Sequence, residues 1–406
     1  MKRIAFINTV PYGSTGKIVQ EIAHAAEKKG WDTFIYYAWT KMLRNSSQRN
    51  VMIGSFLGRC AHLVLGSITG LACLFSVVDT YRLIKQLKRF QPDVLNLHNL
   101  HGNYLNLPIL FSYIKKNHIK VVWTLHDCWA LTGQCVHFTI AKCDKWKTGC
   151  SKCPQYRDYP GTYVDQTRFM WKMKKRWFAG IEDMLVVTPS QWLADLALKS
   201  MLGQYPVKVI NNGINLNIFH PGENDFRKKY ACEDKFIILG VAYGWGYKKG
   251  LDVFINLCKQ LGPEYQIVLV GTDDEVDRSL PEQVISIHRT QNQAELSEIY
   301  SASDLLVNAS REENYPTVNM ESLACGTPVL TFNAGGSAEI IDRTCGRVVP
   351  TDDINALILE INRIRAEKPF SEKPCIYKAQ NFDMQEKFGE YVALFESICE
   401  KGLFPR

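Results

Sequence analysis

Glu313 and Glu321 stand with seven residues between them in the stretch SREENYPTVNMESLACGTP, Ser310 to Pro328. Two carboxylates at this spacing, with Pro316 between them, fit a turn that leads into a helix. Proline's fixed φ suits the first helical turn, where its missing N–H costs nothing. The pattern predicts a helix over Thr317 to Cys325, stopped by Gly326-Thr327-Pro328. Upstream, Asp304 to Asn308 is the short apolar run of a buried parallel strand. Glu313 is then held just before the helix and Glu321 within it. The first-turn N–H groups of Thr317 and Val318 have no partner inside the helix and attract phosphate. Carboxylates beside such a site accept hydrogen bonds from sugar hydroxyls. The combination suits a nucleotide sugar; on spacing alone, an acidic turn before an ordinary core helix is the alternative.

Transfer from a nucleotide sugar requires charge to be balanced on a departing diphosphate. A metal can do this, and so can fixed cations and helix N-termini. No Asp-x-Asp motif follows a predicted strand, whereas Lys249-Gly250 opens a predicted helix. That favours chemistry without a metal cofactor; a solvated helix-start lysine is the plainer reading. Three histidines, His98, His101 and His126, follow the predicted strands Pro92 to Leu97 and Lys120 to Leu125. In a doubly wound sheet ligands gather at the carboxyl ends of strands, which is where all three fall. Cys128, Cys135, Cys143, Cys150 and Cys153 crowd the next stretch, the last two as C-x-x-C. Cys135, Cys143, Cys150 and Cys153 are candidates for a structural Zn²⁺; reduced thiols buried in a loop are the alternative.

The elements that must position these groups alternate along the chain. Arg3 to Val10 reads as a strand, Pro11 to Gly16 as a glycine turn and Lys17 to Lys29 as a helix. Phe236 to Val241 opens a second series, continued by strands at Tyr265 to Val270, Val284 to Ile287, Asp304 to Asn308 and Val329 to Phe332. Such alternation predicts α/β architecture with parallel sheets and right-handed crossovers. A chain of 406 residues is too long for one core. The expected division is 1–210, 211–375 and a final helical segment 376–406. Residues 51–79 are unusual, since Leu63 to Val78 is almost wholly apolar or small and basic residues flank it. It is a little short for a spanning helix. It reads as a surface helix or helical hairpin able to lie against a bilayer, or else as a buried core helix.

The formal net charge of +7 is a mild basic excess. It suits anionic nucleotides or an anionic membrane surface, and no nucleic-acid motif accompanies it. Met1 runs straight into a strand with too short an apolar run for a signal peptide, so a cytoplasmic setting is expected, with a peripheral place at the inner face of the membrane as its extension. In that setting the thirteen cysteines are mostly reduced.

Glu313, seven residues, Glu321 and then Ala324 to Pro328 resemble the Glu-x7-Glu signature of family 4 retaining glycosyltransferases of the GT-B fold. The resemblance continues through Lys249-Gly250, Asn212-Gly213-Ile214 and Gly335-Gly336, in the family's order. It implies two Rossmann-like domains facing a central cleft, with the last helix, Met384 to Lys401, crossing back to the first domain. It implies that His126, Lys249 and Glu313 serve the chemistry. Lys249, Glu313 and Glu321 would hold the donor, together with Gly16, Gly244, Arg289, Asn314, Tyr315, Thr317 and Val318. Gly13, His98 and His101 would face the acceptor. The implied partners are a UDP- or GDP-sugar and a glycan or polyprenyl-linked acceptor of bacterial surface polysaccharide assembly, with no nucleic acid. Three departures stand out: Pro316 replaces a common glycine, Asn215 a usual aspartate, and the arginine usual before the lysine is missing, with Lys248 or Arg289 as substitutes. Two other classes fit parts of the chain: another GT-B enzyme such as a nucleotide-sugar epimerase, and a non-catalytic membrane- or partner-binding module.

Overall fold

The computed structural model describes residues 1–39 and 49–401. These form two compact units, Met1–Asn211 with Lys387–Arg406, and Asn212–Glu386. The first unit carries strands β1 (Arg3–Asn8), β2 (Asp32–Tyr37), β3 (Arg49–Met52), β4 (Val94–Leu97), β5 (Val121–Thr124), β6 (Met184–Thr188) and β7 (Val207–Val209). Its helices are α1 (Gly13–Lys28), α2 (Phe56–Thr69), α3 (Val77–Phe90), α4 (Leu107–Lys116), α5 (Thr167–Phe178) and α6 (Gln191–Leu198). The second unit carries β8 (Phe236–Val241), β9 (Tyr265–Val270), β10 (Ile285–Ile287), β11 (Leu305–Asn308), β12 (Val329–Phe332) and β13 (Gly346–Val349). Its helices are α7 (Phe226–Lys229), α8 (Leu251–Gln260), α9 (Asp274–Asp277), α10 (Gln293–Ala302), α11 (Thr317–Ala324), α12 (Ile354–Glu367) and α13 (Glu372–Ala379); α14 (Met384–Lys401) follows.

Both sheets are parallel, ordered β3-β2-β1-β4-β5-β6-β7 and β10-β9-β8-β11-β12-β13. Each runs outward from its first strand in one direction, then returns to that strand's other side. This is the Rossmann order, and it opens a crevice at the carboxyl ends of the two strands where direction reverses. Those pairs are β1/β4 and β8/β11. Strands covered by helices on both faces must be apolar throughout. In β8, accordingly, Ile237 and Leu239 enter the core on one face of the sheet while Ile238 enters the core on the other. The end of α14 belongs to the first unit: Phe395 meets the rings of Phe6 and Trp31 edge-on, and Lys120 Nζ donates to the carbonyl of Ile398 at 3.0 Å.

Several boundaries differ from the sequence expectation. α1 begins at Gly13, so Gly16 lies inside its first turns rather than in a loop. Lys249 closes a short 3-10 turn, Tyr247–Lys249, and Gly250 at φ 77° separates it from α8. The apolar run Leu63 to Val78 is not one helix. Gly70, left-handed at φ 74°, ends α2, and α3 starts afresh at Val77. Among the described residues no helix is long and apolar enough to cross a membrane.

Candidate active site

In the second unit the reversal of strand order brings together two loops distant in sequence. β8 leads to the turn bearing Lys248 and Lys249, and β11, its neighbour, leads to Arg311, Glu312 and Glu313. Lys249 Nζ forms an ion pair with Glu313 Oε1, and Lys248 Nζ lies 3.4 Å from Glu312 Oε2. The approach depends on glycine. A Cβ on Gly250 would sit 2.5 Å from the carbonyl oxygen of Ala309, and one on Gly335 would overlap the carbonyl of Glu313. The Gly336 N–H donates to the Asn314 carbonyl at 2.8 Å, and Asn212 Nδ2 to that of Tyr315 at 3.3 Å. The Gly335-Gly336 and Asn212-Gly213 segments thus brace the Glu313–Tyr315 turn.

α11 begins at Thr317 directly after Pro316, whose side chain offers no capping hydrogen bond. Its first-turn N–H groups, those of Thr317 and Val318 included, keep their capacity to meet an anion. Within the helix, Glu321 Oε2 accepts from the buried Tyr300 hydroxyl at 3.0 Å. Burial and the Glu321 charge hold the Tyr300 phenol well above its ordinary range, so it stays a donor. Glu321 is thereby held by its neighbour on α10.

Arg311 was not singled out from sequence. Its side chain is buried, pairs with Asp252 through both terminal nitrogens at 2.8 Å, and reaches Asp352 at 2.5 Å. It also stacks over the Tyr247 ring at 3.9 Å, and its own N–H donates to the Lys248 carbonyl at 2.9 Å. Burial works against its charge, but the two carboxylates outweigh it and raise its pKa. Arg311 therefore fastens the Lys248-Lys249 turn beside Glu313.

Two expected neighbours stand elsewhere in the unit. Gly244, left-handed at φ 75°, lies in the exposed part of the loop after β8. Arg289 is exposed and follows β10, an edge strand separated from β11 by β9 and β8. Three strand spacings put it roughly 14 Å along the sheet from the Glu313 strand. A cavity of about 680 Å³ lies at the opposite, amino ends of β8, β11 and β12, lined by Phe236, Asp304 and Pro328 among others. Ligands of open α/β sheets bind at carboxyl ends, so the site is not placed there.

In the first unit the corresponding switch point, β1/β4, holds the glycine turn and the histidines. Gly16 packs so closely that a Cβ would lie 2.5 Å from the Pro11 carbonyl carbon, while Gly13, at φ 69°, starts α1. His98 and His126 stack with ring centres 5.2 Å apart. Asn96 Nδ2 donates to Val122 O, which leaves its Oδ1 to accept from His98 Nε2 at 2.9 Å. A neutral His98 then accepts at Nδ1, so His126 Nε2–H donates to it at 2.9 Å and the His126 lone pair lies on Nδ1. Burial pushes His98 well below its usual range and His126 down to about 4, so both rings are neutral at pH 7. His101 Nε2 meets Asp127 Oδ2 at 2.9 Å, and its Nδ1 meets the Tyr159 hydroxyl at 3.2 Å. Burial would raise the Asp127 pKa, but the neighbouring His101 with its hydrogen bond and the Trp129 N–H reverse the effect and lower it.

The cysteine loop lies behind this cluster. Cys135 and Cys153 share a sulfur–sulfur hydrogen bond, and Cys150 accepts from the Gly133 N–H at 3.2 Å with Cys143 and Cys153 close enough to affect its titration. Among the described residues no group of three or more His, Cys, Asp or Glu side chains is arranged as a metal site. Beside the loop, Lys174 is fully buried, donates to the carbonyls of Trp129 and Thr132 and lies over the Trp129 ring at 3.3 Å.

Two Rossmann-order units, each with its candidate residues at the switch point, define a GT-B fold. The chain belongs to glycosyltransferase family 4. Residues 15–218 match the model described as Glycosyltransferase Family 4, and residues 222–382 the model described as Glycosyl transferases group 1. A curated relative is WcaC of Escherichia coli K12, a glycosyl transferase assigned by name to colanic acid biosynthesis. It is 27% identical over 321 residues, covering 76% of this chain and 77% of WcaC. The sucrose-phosphate synthase of Thermosynechococcus elongatus superposes with a TM-score of 0.74 at 18% identity, over 98% of this chain and 99% of its own. Anabaena HepE, solved in complex with UDP-glucose, superposes with a TM-score of 0.66 at 15% identity, over 98% and 100%. The protein is a glycosyltransferase of GT-B type, related to enzymes of bacterial surface polysaccharide assembly.

Proposed function

We propose that the protein transfers a sugar, with retention of anomeric configuration and without a catalytic metal, from a UDP- or GDP-sugar to a glycan or polyprenyl-linked acceptor of a surface polysaccharide. The observation that carries the reading is the Lys249–Glu313 pair beside the start of α11 at Pro316, with Glu321 held by Tyr300. WcaC's assignment and HepE's bound UDP-glucose support it by likeness.

The donor's diphosphate takes the Lys249 ammonium and the N–H groups of Thr317 and Val318. Glu313, paired with Lys249 when no donor is bound, turns to the sugar hydroxyls. Glu321 accepts from the ribose hydroxyls. The acceptor hydroxyl attacks C1 on the face the diphosphate leaves. The C1–O bond to phosphate breaks, the C1–O bond to acceptor forms, and the acceptor's proton passes to a leaving phosphate oxygen.

Glu321→Ala tests the donor assignment. A hydrogen bond to a charged acceptor is worth about 1.5–3 kcal/mol, so nucleotide affinity by titration calorimetry is expected to fall roughly 10- to 100-fold. Unchanged affinity would remove Glu321 from the site.

Metal removal tests the second part. Excess EDTA is expected to leave donor turnover intact over minutes, because fixed charges replace the cation. Activity that vanishes on chelation and returns with Mg²⁺ or Mn²⁺ contradicts this. The cysteine loop stands outside the reaction, and a structural Zn²⁺ on Cys135, Cys143, Cys150 and Cys153 would require those side chains to close around it. On that proposal elemental analysis gives about one zinc per chain; none, with the thiols freely titratable after unfolding, assigns them as buried thiols.

A further inference from the structure

Helix α2 is packed inside out. Its buried residues are Arg59, His62 and Gly66. Arg59 donates to the carbonyls of Ile53 and Gly54 at 3.0 and 2.9 Å and lies 5.0 Å from the Trp39 ring centre. His62 meets Ser76 Oγ and the Ala72 carbonyl at 2.6 Å each. A Cβ on Gly66 would sit 2.9 Å from Asn103 Oδ1. The helix is thus fastened by its polar and small residues. Its outer side carries Phe56, Leu57, Leu63, Val64, Leu65 and Ile68, with Phe56 64% and Leu57 79% exposed. An amphipathic helix on a globular core does the reverse, and a contiguous apolar surface of this kind marks an interaction site.

The surface extends onto both neighbours. The Tyr163 N–H donates to the Ser67 carbonyl at 2.8 Å, which sets Tyr163, 76% exposed, and Val164 beside the end of α2. The His62–Ser76 bond ties the start of α3 to α2. On α3, the exposed residues Val78, Tyr81, Arg82, Lys85 and Arg89 fall at helical spacing on one side, so an apolar start passes into a basic stripe. On α5, Phe169, Lys172 and Arg176 do the same. α2 has no acidic residue, nor has α5, and the single acid of α3, Asp79, is buried.

We propose that this face seats the protein reversibly on an anionic phospholipid bilayer. Phe56, Leu57, Leu65 and Ile68 enter the interface while Lys85, Arg89 and Lys172 meet the headgroups; Arg82 is paired with Asp79. Apolar insertion rimmed by aromatic and basic side chains is the chemistry of an interfacial helix. The one-sided positive charge selects an anionic surface over a second copy of the same positive face. The proposal does not depend on which donor is used.

The test is co-flotation of the full chain with vesicles of phosphatidylglycerol and phosphatidylcholine, against phosphatidylcholine alone. The wild type is expected to float with the anionic vesicles only. Leu57→Glu/Ile68→Glu, at exposed sites, is expected to stay in the dense fraction with unchanged melting temperature and donor hydrolysis. Lys85→Glu/Arg89→Glu keeps the apolar face and the Arg82–Asp79 ion pair and tests charge separately. Each basic residue near the surface is worth roughly fivefold in partitioning, so the double reversal is expected to weaken binding by about 30-fold or more. Failure of the wild type to float, or flotation of both variants equal to that of the wild type, overturns the proposal. So does a lipid-independent dimer that Leu57→Glu/Ile68→Glu converts to monomer.

Discussion

Lys249→Ala is expected to lower kcat for donor turnover by about 10²–10³, the loss found when one preorganised group facing developing charge is removed. The lysine closes the 3-10 turn after β8 and meets Glu313 after β11, where strand order reverses. On the proposed mechanism its ammonium balances the diphosphate's charge as it grows when C1–O breaks. Stability should change little, because the Lys249 side chain is about a third exposed and Glu313 can rehydrate. The check is nucleotide release under saturating donor, with a melting curve of the same sample. A kcat within about twofold of wild type, with the fold intact, removes Lys249 from the chemistry.

Arg311→Ala is expected to cost both stability and activity. The buried guanidinium joins Asp252, Asp352, the Tyr247 carbonyl and the Tyr247 ring. Breaking a buried pair costs about 3–5 kcal/mol. Asp252 and Asp352 are about half exposed and regain water, so roughly 2–3 kcal/mol is the better expectation. The Lys248-Lys249 turn then loses its tether, and kcat falls even where the variant is fully folded. Arg311→Lys keeps one charge but cannot pair with two oxygens of Asp252 while also reaching Asp352. It should recover less than half of the lost stability. Urea unfolding of both variants, alongside nucleotide release at low temperature, checks this; unchanged unfolding midpoints contradict the tethering role.

The sheets were legible because buried parallel strands are almost wholly apolar, as in Phe236 to Val241 and, Gln266 apart, Tyr265 to Val270. Of the edge strands, β10 was legible at Val284 to Ile287, but β3 and β13 were not. β3, Arg49–Met52, and β13, Gly346–Val349, are short and half polar, and only pairing with a neighbour makes them strands. Whether Leu63 to Val78 forms one helix or a helical hairpin was not legible, because hydropathy does not register the left-handed stop at Gly70. Within the site, Glu313 and Glu321 announce themselves by local spacing. The meeting of Lys249 with Glu313 depends on β8 lying beside β11, which no local pattern encodes. Arg311 looked like one more charge in an acidic turn. Its three partners lie on other segments, so burial was invisible in sequence. Lys174 was hidden likewise, spaced as part of a basic helical stripe yet pointing inward.

Nucleotide release from a panel of UDP- and GDP-sugars, followed without acceptor, tests the central claim most directly, since a glycosyltransferase slowly hydrolyses its donor. The expected result is release of nucleotide from at least one sugar donor, abolished in Lys249→Ala and weakened in Glu321→Ala. A changed sugar with the nucleotide still attached would make the protein an epimerase. Neither turnover nor binding of any member of the panel would contradict catalysis at the Lys249–Glu313 site.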